Sequence, residues 1–367
     1  MKRRCLVVVL IVSMLSGCTD QREINDVALV LATGIDKTNH EFNVTLQIPI
    51  SKSAGTEEGS KEVFYLENNS GRSVQEALGN IQKQMPRILR FSHQQVIVIN
   101  EEIARNNISE ILDFFNRNRE SRLTSYIYIS EKETFNVLNT HPKLSGISAQ
   151  DITGIGRLMG SGTTTREFLS ALYREGSDPV ASVVNNDNGK LTFNKMAVFK
   201  NRKMKFITNE SQTLGLLWMK RSAMKGKSIT FVSKHKQIIT VNVSNHKFKM
   251  KATVMDGIPE CHIRIAGKGY ISESEESLDL SNKKAIHEIE ESLELDIKRK
   301  IMDILELTLR SGIDILGIGN YLYVHKNLQW EKKWKDQWDT MLAKTKIDID
   351  VNFRIENTGL NINTLAN

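Results

Sequence analysis

Three cysteines and five prolines are all that 367 residues contain. With 40% apolar residues and so little proline, the chain is neither collagen-like nor disordered over its length. Cysteine is too scarce for a disulfide scaffold. If Cys5 leaves with a leader and Cys18 is modified, Cys261 has no intramolecular partner and stability must come from packing. An excess of one charge is also small: the formal +7 falls to +4 without Lys2, Arg3 and Arg4, which argues against a nucleic-acid partner. After Gly17 no run approaches the ~18 apolar residues of a spanning helix, so the body is expected outside the bilayer.

Signatures of chemistry are missing as well. The eight histidines are scattered, with no His-Glu-x-x-His and no paired Cys-x-x-Cys. His93 and His141 each stand alone beside turns. Gly154-Ile155-Gly156-Arg157-Leu158-Met159-Gly160 sets its third glycine one residue too far for a dinucleotide fingerprint and follows no strand, so a loop is expected. Gly55 to Lys61 misses the phosphate-loop spacing, and no Gly-x-Ser-x-Gly occurs. Cys261 lies in a strand-like segment as an inert thiol. Asp348 and Asp350 fall on the polar side of a strand. No enzyme, metal or small-molecule cofactor is expected.

What is present begins at the N-terminus. A basic start, an apolar run from Leu6 to Leu15 and small residues Ser16 and Gly17 have the anatomy of a secretory leader, about half as long as a spanning helix. Leu15-Ser16-Gly17-Cys18 matches the bacterial lipobox, whose cysteine takes a diacylglycerol on sulfur and an N-acyl chain after cleavage. The expected division is a leader over 1–17 and a lipidated tether over 18–25. Acyl chains contribute ~0.8 kcal/mol per buried CH₂, enough for two or three to hold a chain on a membrane.

Periodicity then predicts an α+β, multi-domain chain. A mixed-sheet N-terminal domain over 26–188 should contain a hairpin (27–50), a helix capped by Ser73 and stopped at Pro86, a strand at 95–99, a helix at 108–116, a strand at 123–129 and a helix capped by Ser130. A polar loop covers 51–62, and Asn185 to Gly189 is the boundary candidate. The C-terminal domain, 189–367, should be an antiparallel sheet packed with long helices. Its longest helix, capped near Ser281 and ended at Ser311-Gly312, carries an Ile/Leu stripe from Ile286 to Leu305. A second helical stretch covers 328–342. Ile347, Ile349, Val351, Phe353 and Ile355 alternate with polar residues in a terminal strand buried on one face.

Two features have a functional and a structural reading. Nine lysines and arginines and no acid lie between Ser211 and Met255. Among them, Lys247, Lys249 and Lys251 alternate with Phe248 and Met250 on one strand face. They suit anionic lipid or an acidic partner, or else form a solvated face. Trp330, Trp334 and Trp338 recur every four residues, as a docking surface for a membrane partner or, more commonly, a stripe packed on the sheet.

Asp20 to Asn25 followed by Gly34-Ile35-Asp36 resembles the start of the Ger(x)C family of spore germination lipoproteins. Further matches run through Glu76-Ala77, Gln82 to Arg87, His93 with its Val-Ile-Val-Ile strand, and Arg119 to Leu123. Glu210 to Lys227, Asp314 to Asn320 (DILGIGN), the Trp-Lys helix and Thr358-Gly359-Leu360 complete them. One departure is Thr19, where family members usually carry tryptophan. The resemblance implies a non-catalytic, lipid-anchored subunit of a nutrient germinant receptor. Its partners would be membrane-embedded A and B subunits, on the outer face of the spore inner membrane. It also implies several α+β domains, so the C-terminal half has room for a further division. The alternative is a solitary lipid-anchored solute-binding protein, which needs a deep cleft with convergent polar groups. An envelope hydrolase would need a motif that the sequence does not offer.

Overall fold

A computed structural model describes residues 26–50, 63–274 and 282–357. The leader, the lipobox residues Leu15, Ser16, Gly17 and Cys18, and the 51–62 loop lie outside the described residues.

The first sheet grows from the hairpin that alternation predicts. Strand β1 (Ala32–Thr38) pairs antiparallel with β2 (Glu41–Pro49), which pairs with β3 (Phe64–Gly71). On the other side of β1, the parallel strands β4 (Val96–Asn100), β5 (Tyr126–Ser130) and β6 (Val180–Val183) follow in order. Strands β7 (Met196–Lys200) and β8 (Lys203–Ile207) then close that edge antiparallel. The sheet is therefore mixed and runs β8-β7-β6-β5-β4-β1-β2-β3, with Thr163–Thr164 pairing beside β5.

Helices cover both faces, which is why β4 reads as a continuous apolar run. One face is packed by α1 (Val74–Gln84), α2 (Glu101–Asn106), α3 (Ser109–Arg117) and, later in the chain, by Phe168 and Leu169. The other is packed by α4 (Thr134–Leu138) and α5 (Ser148–Leu158). Helix α6 (Thr165–Tyr173), which carries Phe168 and Leu169, follows. Local chemistry sets these elements. The Ser73 hydroxyl accepts the Glu76 N–H, and Val74, Ala77, Leu78 and Ile81 form the buried stripe of α1. Gly34 lacks a side chain where a Cβ would fall on Thr134 Oγ1. That approach lets the buried Asp36 carboxylate accept the Thr134 N–H (3.1 Å) and hydroxyl (2.5 Å), capping α4 from a neighbouring strand.

Two expectations are corrected here. Residues 148–158 are helical, including Gly154 and Gly156, because Ala149 and Ile152 bury against the sheet; glycine content lowers helix propensity without forbidding it. Ser130 ends β5 and its hydroxyl accepts from Lys132 N; Glu133 precedes the helix instead. At the boundary candidate, Asn188 and Gly189 turn a small hairpin that pairs Asn185–Asp187 with Lys190–Thr192. The first sheet thus crosses the 188/189 division, since β7 and β8 belong to it. Their connecting Asn201 and Arg202, both at positive φ, form the tight turn of a two-residue hairpin.

The second sheet orders β9 (Ser228–Val232), β10 (Ile238–Met255), β11 (Ile258–Ser274) and β12 (Lys346–Asn357). Its first three strands are antiparallel, and β12 returns parallel to β11 after the helices between them. Helix α7 (Glu210–Trp218) and the 28-residue α8 (Lys283–Arg310) pack on its inner face. Asn282 caps α8, and Ile289, Leu293, Ile297, Ile301, Ile304 and Leu305 bury as its stripe. At about 1.5–3 kcal/mol per fully buried side chain, that stripe is a main stabiliser of this half. Helix α8 also protects the sheet edge. Glu294 and Glu290 accept the Phe353 and Ile355 N–H groups at 2.8 Å, filling donors an edge strand would leave open. After α9 (Ile318–His325) the chain forms Asn327–Gln329, a π turn over Trp330–Trp334, a 3₁₀ turn and α10 (Trp338–Ala343), so the expected single helix is broken.

Candidate functional site

A buried polar cluster lies where the two sheets' helices and loops meet. Asp314 opens the DILGIGN segment, and its carboxylate is buried at the start of α9. One oxygen accepts Ile318 N–H at 2.9 Å; the other accepts Gly319 N–H at 2.7 Å and Trp338 Nε1–H at 3.2 Å. A carboxylate there satisfies N–H groups that a helix N-terminus leaves unpaired. Asp178, from the loop before β6, exchanges two 2.8 Å bonds with Asp314: its N–H donates to the Asp314 carbonyl, and its carboxylate accepts the Asp314 N–H. Lys200 on β7 bridges Asp178 (3.2 Å) and Asp339 on α10 (2.8 Å).

Burial pushes the Asp314 carboxyl up to about 6 and raises Asp178 as well, against the bonds that favour their charge. For Lys200, burial opposes the charge, but the pairs with Asp339 and Asp178 outweigh it and the net shift is upward. The backbones meet closely: Asn320 N–H donates to Gly176 O at 2.9 Å. A Cβ on Gly319 would come within 2.7 Å of both Gly176 Cα and Trp330 Cη2. A second contact joins the halves where Lys220 reaches the carbonyls of Ser161 (3.3 Å) and Gly162 (3.4 Å), and Lys227 reaches that of Met159. Burial lowers both lysines, Lys227 to about 8. Two of the nine basic residues are thus structural.

The tryptophan stripe is core. Trp330, Trp334 and Trp338 are 1%, 3% and 5% exposed, and the Trp330 and Trp338 rings lie 5.1 Å apart. This corrects their candidacy as a docking surface: the π turn keeps all three indoles on the inner side, where burying their large area stabilises the domain. Lys247, Lys249 and Lys251 are all exposed, on the outer face of the second sheet. They do not meet the tryptophans, which lie on its inner side.

An open groove of about 980 Å³ lies between α1 and α3. Phe42, Val74, Leu78 and Phe91 floor it, and Asp113, Arg117, Arg119 and Glu120 stand along its rim. Arg117 pairs with Asp113, and Glu120 pairs with Arg90 while accepting Phe91 N–H at 3.2 Å. Most of the rim charge is thereby neutralised locally. His93 is exposed, and His141 stacks on Phe64 with ring centres 4.7 Å apart. Cys261 is buried, its thiol pushed up to about 12 by burial. Among the described residues no group of three His, Cys, Asp or Glu could hold a metal ion, and no helix is long and apolar enough to cross a membrane.

The Asp178–Lys200–Asp339 chain was not legible in advance, because its members lie on separate elements with no local pattern. Asp314 leaves a signal, an aspartate three residues before a Gly-Ile-Gly-Asn step, which fits a carboxylate capping a closely packed helix start.

Comparison with known proteins follows from this architecture. Residues 20–186 match the model described as spore germination protein N-terminal domain, and 194–359 match the spore germination B3/GerAC-like C-terminal model. Spore germination protein KC of Bacillus subtilis (strain 168) is 25% identical over 408 aligned positions, covering 100% of this chain and 98% of that one. Spore germination protein B3 of the same organism is 24% identical, covering 94% and 95%. The crystal structure of the GerBC protein superposes with a TM-score of 0.57 at 20% identity, over 89% of this chain and 97% of that one, which establishes the shared fold.

Proposed function

Because the chain belongs to the Ger(x)C family of spore germination proteins, we propose that it is the non-catalytic, lipid-anchored subunit of a nutrient germinant receptor. It assembles with membrane-embedded A and B subunits on the outer face of the spore inner membrane. The observation that carries this reading is the pair of family models, which together span residues 20–359 but for seven positions. Lipid on Cys18 confines the chain to the membrane plane, which raises its effective concentration near membrane partners. The groove between α1 and α3 is open, and its Asp113, Arg117 and Glu120 are already held in ion pairs, so it supports solute capture less well than assembly.

A crosslinked pull-down of a tagged copy from spore membranes tests the proposal. Recovery of polytopic A-type and B-type germination proteins is expected. A chain that comes down alone, beside an intact control receptor, would overturn receptor assembly and put the solitary binding lipoprotein ahead. Calorimetry against amino acids and sugars would then test that second reading directly.

A further inference from the structure

The outer face of the second sheet is built differently from the rest of the surface. Past the irregularity at Val243–Asn245, alternation along β10 returns Lys247, Lys249 and Lys251 to the outside, while His246 and Ala252 are buried and Phe248 and Met250 pack toward the core. Strand β9 pairs only with Ile238 to Asn242, so the lysine stretch has β11 on one side and no paired strand on the other. The carboxylates of this face are already engaged: Asp348 with His262, Asp350 with Arg264, Glu356 with Lys268 and Glu260 with Lys346. The three lysines and Arg354 make no ion pair among the described residues. Two depressions of about 220 Å³ lie between them, one bordered by Lys249, Lys251 and Arg264 together with the paired Asp348 and Asp350, the other by Lys247, Lys268 and Arg354 around Gly267.

We propose that this face lands on an anionic membrane, with Lys247, Lys249, Lys251 and Arg354 taking the phosphates of anionic phospholipid headgroups. Charge decides the sign of the partner, and the type of side chain decides its class. Protein interfaces are depleted in lysine at their centres and anchored by aromatic residues. Here the centre is lysine, and the residues paired with it across the strands are Ala266, Arg264 and His262. Long flexible ammonium groups about 7 Å apart along a strand suit a fluid layer of charged headgroups better than a fixed surface. The inference rests on the proposed membrane location for its setting. The electrostatic contact itself needs no anchor.

Among the described residues, the three apolar clusters begin at Ala28, and the chain tested starts at residue 19, directly after the proposed lipid site. That chain is sedimented with vesicles of phosphatidylcholine alone or with added phosphatidylglycerol, at low and high salt. Binding should require phosphatidylglycerol and weaken with salt. Lys247→Gln, Lys249→Gln and Lys251→Gln should each weaken it about fivefold, and the triple variant about a hundredfold. Lys190→Gln/Lys203→Gln/Lys205→Gln removes the same charge from exposed positions of the first half and should leave binding within about twofold of the parent, a guide set by the per-residue electrostatic effect. Equal sedimentation with neutral vesicles, no binding at all, or the same loss in both triple variants overturns the proposal and leaves the lysines as protection for an open strand edge. Because the test omits the lipid, its failure leaves tethering through Cys18 standing. Conversely, absence of lipid on Cys18 in the native protein would remove the tether and leave a positive vesicle result intact.

Discussion

Raising the pH from about 4 to about 7 should weaken the fold through one carboxyl group, Asp314. Its folded-state value of about 6 stands above the ordinary 3.8, because burial disfavours the charge more than the bonds from Gly319, Ile318 and Trp338 favour it. Between those values the folded chain holds a proton that the unfolded chain has released. Stability therefore falls as pH rises through the window, by about 3 kcal/mol once it is crossed. The comparison chain is Asp314→Asn, which cannot ionise. Its amide keeps one acceptor, while its NH₂ group faces donors, at a pH-independent cost of about 1–3 kcal/mol. Urea unfolding of both chains at a series of pH values gives the difference in stability. The parent should be the more stable at pH 4 and lose about 3 kcal/mol relative to the variant by pH 7. Asp178, also shifted upward by burial, is present in both chains, so the difference reports mainly on Asp314. Parallel curves, or a parent that gains on the variant as pH rises, would refute the assignment of a raised value.

Gly319→Ala should destabilise the chain by about 1–3 kcal/mol, read as a lower urea midpoint, since the new methyl must displace the Gly176 backbone or two indoles. Thr134→Val removes the hydroxyl that donates to buried Asp36 and should cost about 1–3 kcal/mol by the same measurement. Trp338→Ala should cost about 3–5 kcal/mol as a core truncation; a variant that unfolds like its parent would return the tryptophans to the surface. Cys18→Ala should impair receptor assembly more than folding, seen as loss of the chain from spore membranes and of germination through that receptor; normal germination with a soluble chain would remove anchoring from its role.

The legible parts of the fold are those in which one element's pattern suffices. The alternation from Ile347 to Ile355 predicts a strand buried on one side, and β12 is one, with Ile349 and Phe353 inward. The Ile/Leu stripe predicts α8, and Ser73 and Pro86 bracket α1. What local pattern misses is decided by distant partners. Glycines 154 and 156 read as loop, yet α5 forms because its apolar residues have a sheet to cover. Asn185 to Gly189 has the composition of a linker and also of a hairpin, and only the pairing of Asn186 with Leu191 distinguishes them. The site divides in the same way. Exposure of the lysine face follows from alternation, whereas the Asp178–Lys200–Asp339 chain needs three elements brought together by folding.

That chain bears on how the two halves can move. The passage between them is short: Thr208 closes on Met196 through its N–H and its hydroxyl, and the same hydroxyl meets Thr213 at 2.7 Å in the first turn of α7. Met196 on β7 is itself part of the second half's apolar cluster. A hinge at residue 208 would have to break these bonds, the Asp178–Asp314 exchange, the Lys200 bridge and the Lys220 and Lys227 contacts together. At about 0.5–1.5 kcal/mol for each neutral bond, and more for the charged ones, their combined resistance is several kcal/mol. Thermal motion therefore leaves the halves fixed relative to one another. A force or a docking event at the groove between α1 and α3 is consequently felt at the lysine face as a displacement of the whole body. Under the proposed function, that rigidity is what would link a partner docked on one side of the chain to a membrane on the other.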